Sequence, residues 1–342
     1  MSLLENTFNY FHSDCVSCIS INSKNLYVCT KKKLNVWNKT EKTFKTFIIP
    51  EEFIKSVSNN LHTFFLSKNC FYCLENDFLI KICDTHTFPC FWLNKNHLVL
   101  ADQENLTIFT FHQFMEEEKN SVKNAIQKKS FNDENHQILN EDLSENYTDI
   151  KFIKNDINYV NLKRDLYLKN KKIFNIFNSK YGIVSCIVEY ENRLYISFED
   201  GSIFEIIETC NSPYKKLIYR HTETIISFLF YTKNTKKIMI ANTLENLIKI
   251  EPKIIPKNEE KMDDNEYLVT SFNLNFNIKK IIKILDYILV YSDQECGFIF
   301  NLDFGLKEKI FCGNVKNTKI FENKLFISNE DGCVMEYKFK DI

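Results

Sequence analysis

Apolar and polar residues alternate along much of this chain in short runs broken by tight polar turns. A period of two is the pattern of half-buried strands, because successive side chains of an extended backbone point to opposite sides. The clearest unit is Arg193-Leu194-Tyr195-Ile196-Ser197-Phe198, the turn Glu199-Asp200-Gly201, then Ser202-Ile203-Phe204-Glu205-Ile206. Asp-Gly supplies the positive φ that a tight hairpin turn requires. The unit returns near the C-terminus as 324–328, the turn Asn329-Glu330-Asp331-Gly332, and 333–337. Weaker copies run from 26–30 into 34–38, 70–74 into 78–82, 97–101 into 106–109, 237–241 into 247–250, and 287–291 into 297–300.

These make seven hairpins. With one insertion set aside the repeat is about 43 residues, the length of a four-stranded propeller blade. The pattern predicts an all-β fold, a seven-bladed β-propeller formed by residues 1–342 as a single domain. The insertion, 115–149, is rich in Glu, Lys, Asn and Gln and too poor in apolar residues to fold compactly, so disorder is expected there. It is placed between the third and fourth strands of blade three, with Lys172-Ile173-Phe174-Asn175-Ile176-Phe177 returning as the outer strand. A polar loop, 257–266, is expected to separate blades five and six. The last copy ends one strand short of a blade, while Thr7-Phe8-Asn9-Tyr10-Phe11 reads as a strand with no blade of its own. Pairing the N-terminal strand with the last blade would close the ring and hide two sheet edges.

The formal net charge of -1 gives no global field toward nucleic acid or an anionic membrane. No apolar run reaches the roughly 18 residues of a membrane helix, and residues 1–10 lack the basic and apolar regions of a secretory signal. A cytoplasmic or nuclear protein is therefore expected, its twelve cysteines reduced and packed as small hydrophobes. The pairs Cys15-Val16-Ser17-Cys18 and Cys70-Phe71-Tyr72-Cys73 have zinc-like spacing. Both lie in strand-like runs, where residues three apart face opposite ways, so packing is expected. The seven histidines form no ligand cluster: His12 and His221 read as bridges between blades, and His86, His97 and His112 as loop or strand-end positions. Six glycines leave no phosphate-cradling loop. The aromatics alternate within strands as core residues, and Lys31-Lys32-Lys33 reads as a solvated turn. No catalytic, cofactor-binding or metal residue is expected, and no cofactor.

The units resemble WD repeats. His12 and His221 occupy the place of the repeat's Gly-His, and Val36-Trp37-Asn38 resembles its Trp-Asp ending. Most blades lack both His and Trp, so the hydrogen-bonded tetrad of regular repeats is expected to be incomplete. Within that family the chain is similar to the G-protein β-subunit-like protein 1 and ASTRA-associated protein 1 group. The similarity rests on Tyr181-Gly182-Ile183-Val184-Ser185-Cys186-Ile187, Phe198-Glu199-Asp200-Gly201-Ser202, His221-Thr222-Glu223-Thr224-Ile225 and Ser328-Asn329-Glu330-Asp331-Gly332, with Phe88-Pro89-Cys90-Phe91 as an earlier counterpart. Tyr291-Ser292-Asp293 departs from it, lacking the expected tryptophan. The resemblance implies a non-catalytic adaptor for assembly of a multiprotein complex, in chaperone-linked maturation of PI3K-like kinases or in a chromatin-associated complex. Its partners would be proteins, without direct contact to nucleic acid or membrane, and the propeller itself would be monomeric. Two rivals stand beside it: the non-catalytic WD subunit of a tRNA methyltransferase, and a propeller-type diphthine methylesterase. The esterase would need a polar cluster in its channel, whereas Asp200, Asp293 and Asp331 read as turn formers.

Overall fold

The computed structural model describes residues 3–75, 77–85, 90–93, 97–101, 105–110, 171–175, 179–207, 214–252, 267–292 and 295–340. Apart from a 3-10 turn at Ser179–Tyr181, their regular structure is strand. Strand β1 (Leu4–Phe11) opens the chain. Blade one is β2 (Val16–Ile21), β3 (Asn25–Thr30), β4 (Lys33–Asn38) and β5 (Thr43–Ile48); blade two is β6 (Phe53–Ser58), β7 (Thr63–Ser67), β8 (Cys70–Glu75) and β9 (Phe78–Asp84). Blade three is β10 (Cys90–Leu93), β11 (His97–Ala101), β12 (Asn105–Thr110) and β13 (Lys171–Asn175); blade four is β14 (Val184–Tyr190), β15 (Arg193–Phe198), β16 (Ser202–Ile207) and β17 (Tyr214–Arg220). Blade five is β18 (Ser227–Lys233), β19 (Lys236–Asn242), β20 (Asn246–Pro252) and β21 (Tyr267–Asn273); blade six is β22 (Ile278–Ile284), β23 (Tyr287–Ser292), β24 (Cys296–Asn301) and β25 (Leu306–Phe311). Blade seven has β26 (Val315–Phe321), β27 (Lys324–Asn329) and β28 (Cys333–Phe339). Each blade is a four-stranded antiparallel sheet, so the chain is a seven-bladed β-propeller.

The ring closes as its ends imply. Strand β1 is the fourth strand of blade seven, antiparallel to β28 from Leu4 opposite Phe339 to Phe11 opposite Cys333. Lys340 N donates to Leu3 O (3.1 Å) and Leu3 N to the Glu308 carboxylate (2.6 Å), fastening the junction to blade six. Seven apolar clusters fill the spaces between successive blades. Phe64, Phe71 and Leu98 join blades two and three, Leu106 and Phe198 join three and four, and Ile19, Val28 and Phe326 join seven and one. Middle strands are thus covered on both faces and lose alternation: β7 is buried at every position. Outer strands such as β5 and β21 are exposed nearly throughout.

Two segments sit differently from expectation. The hairpin 70–74 into 78–82 is β8 and β9, the third and fourth strands of blade two; the strands equivalent to the other copies are β7 and β8. The run 257–266 lies outside the described residues. The strands that flank it, β20 and β21, pair with each other, so it belongs within blade five rather than between blades. The insertion 115–149 also lies outside the described residues, and its flanking strands β12 and β13 pair as expected.

Strands β2, β6, β14, β22 and β26 share a further feature, a register shift two residues from the start against the second strand of each blade. Such a bulge adds one residue and changes which way every later side chain faces. All five are first strands, which run from the face bearing the second-to-third-strand turns to the opposite face. Among the described residues no helix is long and apolar enough to cross a membrane.

Candidate functional site

Three segments distant in sequence meet on blade four, at the face of its second-to-third-strand turn. The chain entering β14 pairs with that turn: Glu199 N donates to Ile183 O (3.0 Å), Asp200 N to Tyr181 O (3.3 Å), and Ile183 N to the Glu199 carboxylate (3.1 Å). The connection leaving β17 crosses the same turn. His221 N donates to Gly201 O (3.0 Å), and Thr224 Oγ1 donates to Glu199 O (2.6 Å). Gly201 has φ +80°, and a Cβ there would lie 2.5 Å from Glu223 O and closer still to His221 O. Glycine is therefore required twice, by the turn and by the backbone above it.

Beside this junction is a cavity of about 210 Å³ lined by Lys180, Tyr181, Asp200, Ser202, Phe204, Leu217 and Arg220. Tyr181 packs edge-on to Phe204 at 5.0 Å, giving an aromatic floor. The Lys215 ammonium stands 4.3 Å from the Tyr181 ring centre and that of Lys180 4.8 Å. Burial, with Lys180 adding to it, holds the Lys215 ammonium below the ordinary lysine range. Asp200 is the acid of the cavity wall, and it is already engaged: it accepts from Ser202 N (3.0 Å) and Ser202 Oγ (2.9 Å) and pairs with Arg220 (3.1 Å). Two ammonium groups thus stand against the Tyr181 ring beside the Arg220–Asp200 pair, an arrangement that offers cations and aromatic surface side by side to an anionic group carried on an apolar side chain or chain.

The equivalent junction recurs on blade seven. His12 N donates to Gly332 O (2.9 Å), Gly332 has φ +82°, and a Cβ there would lie 2.6 Å from His12 O. His12 also bonds through Nδ1 to Asn35 of blade one (3.2 Å), so it bridges blades. His221 instead accepts from Glu223 N in its own loop (3.1 Å). Among the described residues, the hydrogen-bond partners of the two imidazoles are thus Asn35 and the Glu223 amide rather than the aspartates of the turns. Trp37 sits between Tyr10 and Phe44, at centroid distances of 6.2 and 6.3 Å.

Of the four cysteines in the two pairs, three pack as expected and Cys15 does not. Cys15 is exposed and Cys18 buried, while Cys70 enters the cluster of blades one and two and Cys73 that of blades two and three. Lys31, Lys32 and Lys33 are exposed at the β3–β4 turn, His97 begins β11, and Tyr291 is fully buried. His86, His112, Asp293, Phe88 and Pro89 lie outside the described residues. Among the described residues no group of three or more His, Cys, Asp or Glu is placed to hold a metal ion. Sequence reasoning missed Lys215 and Arg220, since cations on an outer strand look like ordinary solvated positions.

No family model and no curated protein matches the chain by sequence. Its fold is similar to that of the computationally designed Ika8 protein, with a TM-score of 0.56 and 7% identity over 96% of this chain and 98% of that one. It is also similar to BamB from Moraxella catarrhalis, with a TM-score of 0.51 and 9% identity over 95% of this chain and 86% of that one. At such identities the likeness establishes the propeller architecture alone.

Proposed function

We propose that this propeller is a non-catalytic scaffold that holds a partner protein on blade four. The observation that supports this is the convergence of 181–187, 198–202 and 221–225 on one turn, beside a cavity lined by Lys180, Tyr181, Phe204 and Arg220. The partner segment suited to it carries carboxylate or phosphate groups beside an apolar residue. The finer reading follows the resemblance of those same three segments: an adaptor in the cytoplasm or nucleus that serves chaperone-linked assembly of PI3K-like kinases or a chromatin-associated complex.

The test is affinity purification of the tagged chain beside a Lys215→Glu, Arg220→Glu variant, with mass spectrometry of what copurifies. PI3K-like kinases or their assembly chaperones, recovered with the wild type and depleted at least tenfold with the variant, would support both the site and the finer reading. A tRNA methyltransferase catalytic subunit in their place would replace the finer reading with that rival. Equal recovery of every partner by the two proteins would remove blade four as the site.

A further inference from the structure

On the face opposite the blade-four cavity, the central channel opens into a second cavity of about 350 Å³, within the size range of small-ligand sites. Inner strands of neighbouring blades and the turns that follow them build its wall: Ser20 and Asn22 from blade one, Ser58 and Asn60 from blade two, and Lys319 and Phe321 from blade seven. Strand β26 reaches across the inner edges of the next two blades. Asn317 Nδ2 donates to Ser17 O (2.8 Å), and Lys319 Nζ passes beyond β2 to donate to Ser56 O of β6 (3.0 Å).

Lys319 is half-buried on the cavity wall, with its ammonium drawn toward Ser56. An ammonium has three N–H donors, and this one has a single acceptor among the described residues. No carboxylate among them pairs with it. The charged group that faces it is Lys280 of β22, a second cation. The other titratable neighbour is the Cys18 thiol of β2: it favours the charged form of Lys319, and against burial its own pKa is lowered by hydrogen bonds from Cys29 of β3 and Ser56 of β6 and by the Lys319 charge. Burial first, and Lys280 second, bring the Lys319 pKa down to about 8. A buried ammonium is ordinarily paired with a carboxylate or replaced by an apolar side chain. Beside this one lie a second cation, Lys280, and the Cys18 thiol, at the wall of a cavity open to solvent, where an oxyanion would supply acceptors for the N–H groups that Ser56 O does not take.

We propose that the channel mouth binds a small oxyanion group, a sulfate, phosphate or carboxylate, held by the Lys319 ammonium with the Asn60 amide at its rim. This inference is independent of the partner assigned to blade four.

The experiment is equilibrium dialysis with labelled inorganic sulfate at constant ionic strength. A Lys215→Ala, Arg220→Ala background keeps the blade-four cavity from contributing. Sulfate keeps its charge between pH 7 and 9.5, so any pH dependence belongs to the protein. Saturable binding at pH 7 is expected to weaken about thirtyfold at pH 9.5, the fall in the charged fraction of a group with a pKa of about 8. Lys319→Met is expected to lose at least tenfold at pH 7, and Lys319→Arg to keep the affinity within threefold while abolishing the pH dependence. Competition distinguishes the source of the group: stronger displacement by tetraglutamate than by acetate marks a carboxylate presented on a chain, and equal displacement marks a free ion. Binding unchanged in Lys319→Met, or no saturable binding by the background protein at pH 7, would overturn the proposal.

Discussion

Replacing Gly201 by alanine should destabilise the propeller far more than an exposed turn position warrants. Two effects add. At φ +80° an L side chain costs roughly 1–2 kcal/mol relative to glycine. The new Cβ would also stand 2.5 Å from Glu223 O and nearer to His221 O, and both are backbone atoms that cannot rotate away. Relieving that contact moves the connection and lengthens the His221 N to Gly201 O bond, worth about 1 kcal/mol. The sum is about 3 kcal/mol. With about 2.1 cal/mol/K of unfolding entropy per residue over 342 residues, the thermal midpoint should fall by about 4 °C. Calorimetry and urea titration of the purified variants check this. Gly332→Ala, with φ +82° and a Cβ 2.6 Å from His12 O, should behave alike. Gly305→Ala, whose Cβ would meet only the Asn301 side chain at 3.2 Å, should shift the midpoint by less than about 1 °C. Equal effects at Gly201 and Gly305 would refute the claim that the turn and the backbone passing above it together demand glycine at 201.

Removing residues 1–11 strips β1 from blade seven and opens the edge of β28, so the truncated chain should aggregate in light scattering where the full chain does not. Cys73→Ser places a hydroxyl in a fully buried apolar cluster and should cost about 1–3 kcal/mol, whereas Cys15→Ser at the surface should stay within about 0.5 kcal/mol. Similar losses at both positions, reversed by zinc, would contradict packing. His12 has its pKa lowered by burial, and its Nε2 has no partner among the described residues. The unfolded chain therefore binds the proton more readily, and stability should fall as the pH drops through about 6.5. His12→Gln should flatten that slope in urea titrations at pH 7.5 and 5.5. Lys319→Met should raise stability at pH 7 by about 1–3 kcal/mol, since an apolar side chain of similar length replaces a buried charge. Between pH 8 and 10.5 the folded wild type has released this proton while the unfolded chain still holds it. Wild-type stability thus gains with rising pH over that window, and the advantage of the variant should shrink.

The architecture was legible wherever turn chemistry and alternation coincided. Asp200-Gly201 and Asp331-Gly332 mark hairpins whose strands stand in the expected register, and Thr7 to Phe11 proved to be the missing fourth strand of blade seven. Blade two was read one strand late because its Lys68-Asn69 turn has no glycine and β7, buried on both faces, shows no alternation. The fourth strand of blade five was hidden for the opposite reason: Tyr267–Asn273 is exposed at nearly every position and resembles a surface connection. The blade-four junction was visible as three sequence fragments, yet nothing in them announced Lys215 and Arg220, which arrive from β17.

Lys319 shows why a local pattern fails at such a position. In Val315-Lys316-Asn317-Thr318-Lys319-Ile320-Phe321 the two lysines look like equivalent solvated residues, but they belong to an innermost strand that opens with a register shift, and which of them meets solvent is set by the neighbouring blades. Lys316 stays at the surface and pairs with Glu330, while Lys319 is turned inward against Ser56. Strands β2, β6, β14 and β22 carry the same shift and place Ser20, Val57, Val188 and Ile282 at the position equivalent to Lys319. The bulge is therefore a feature of the blade, whereas the buried ammonium is particular to blade seven. A methionine would satisfy the packing of β26 at lower cost. Folding alone gives no reason for a cation there, and the departure from what stability favours is the physical argument for a binding role at the channel mouth.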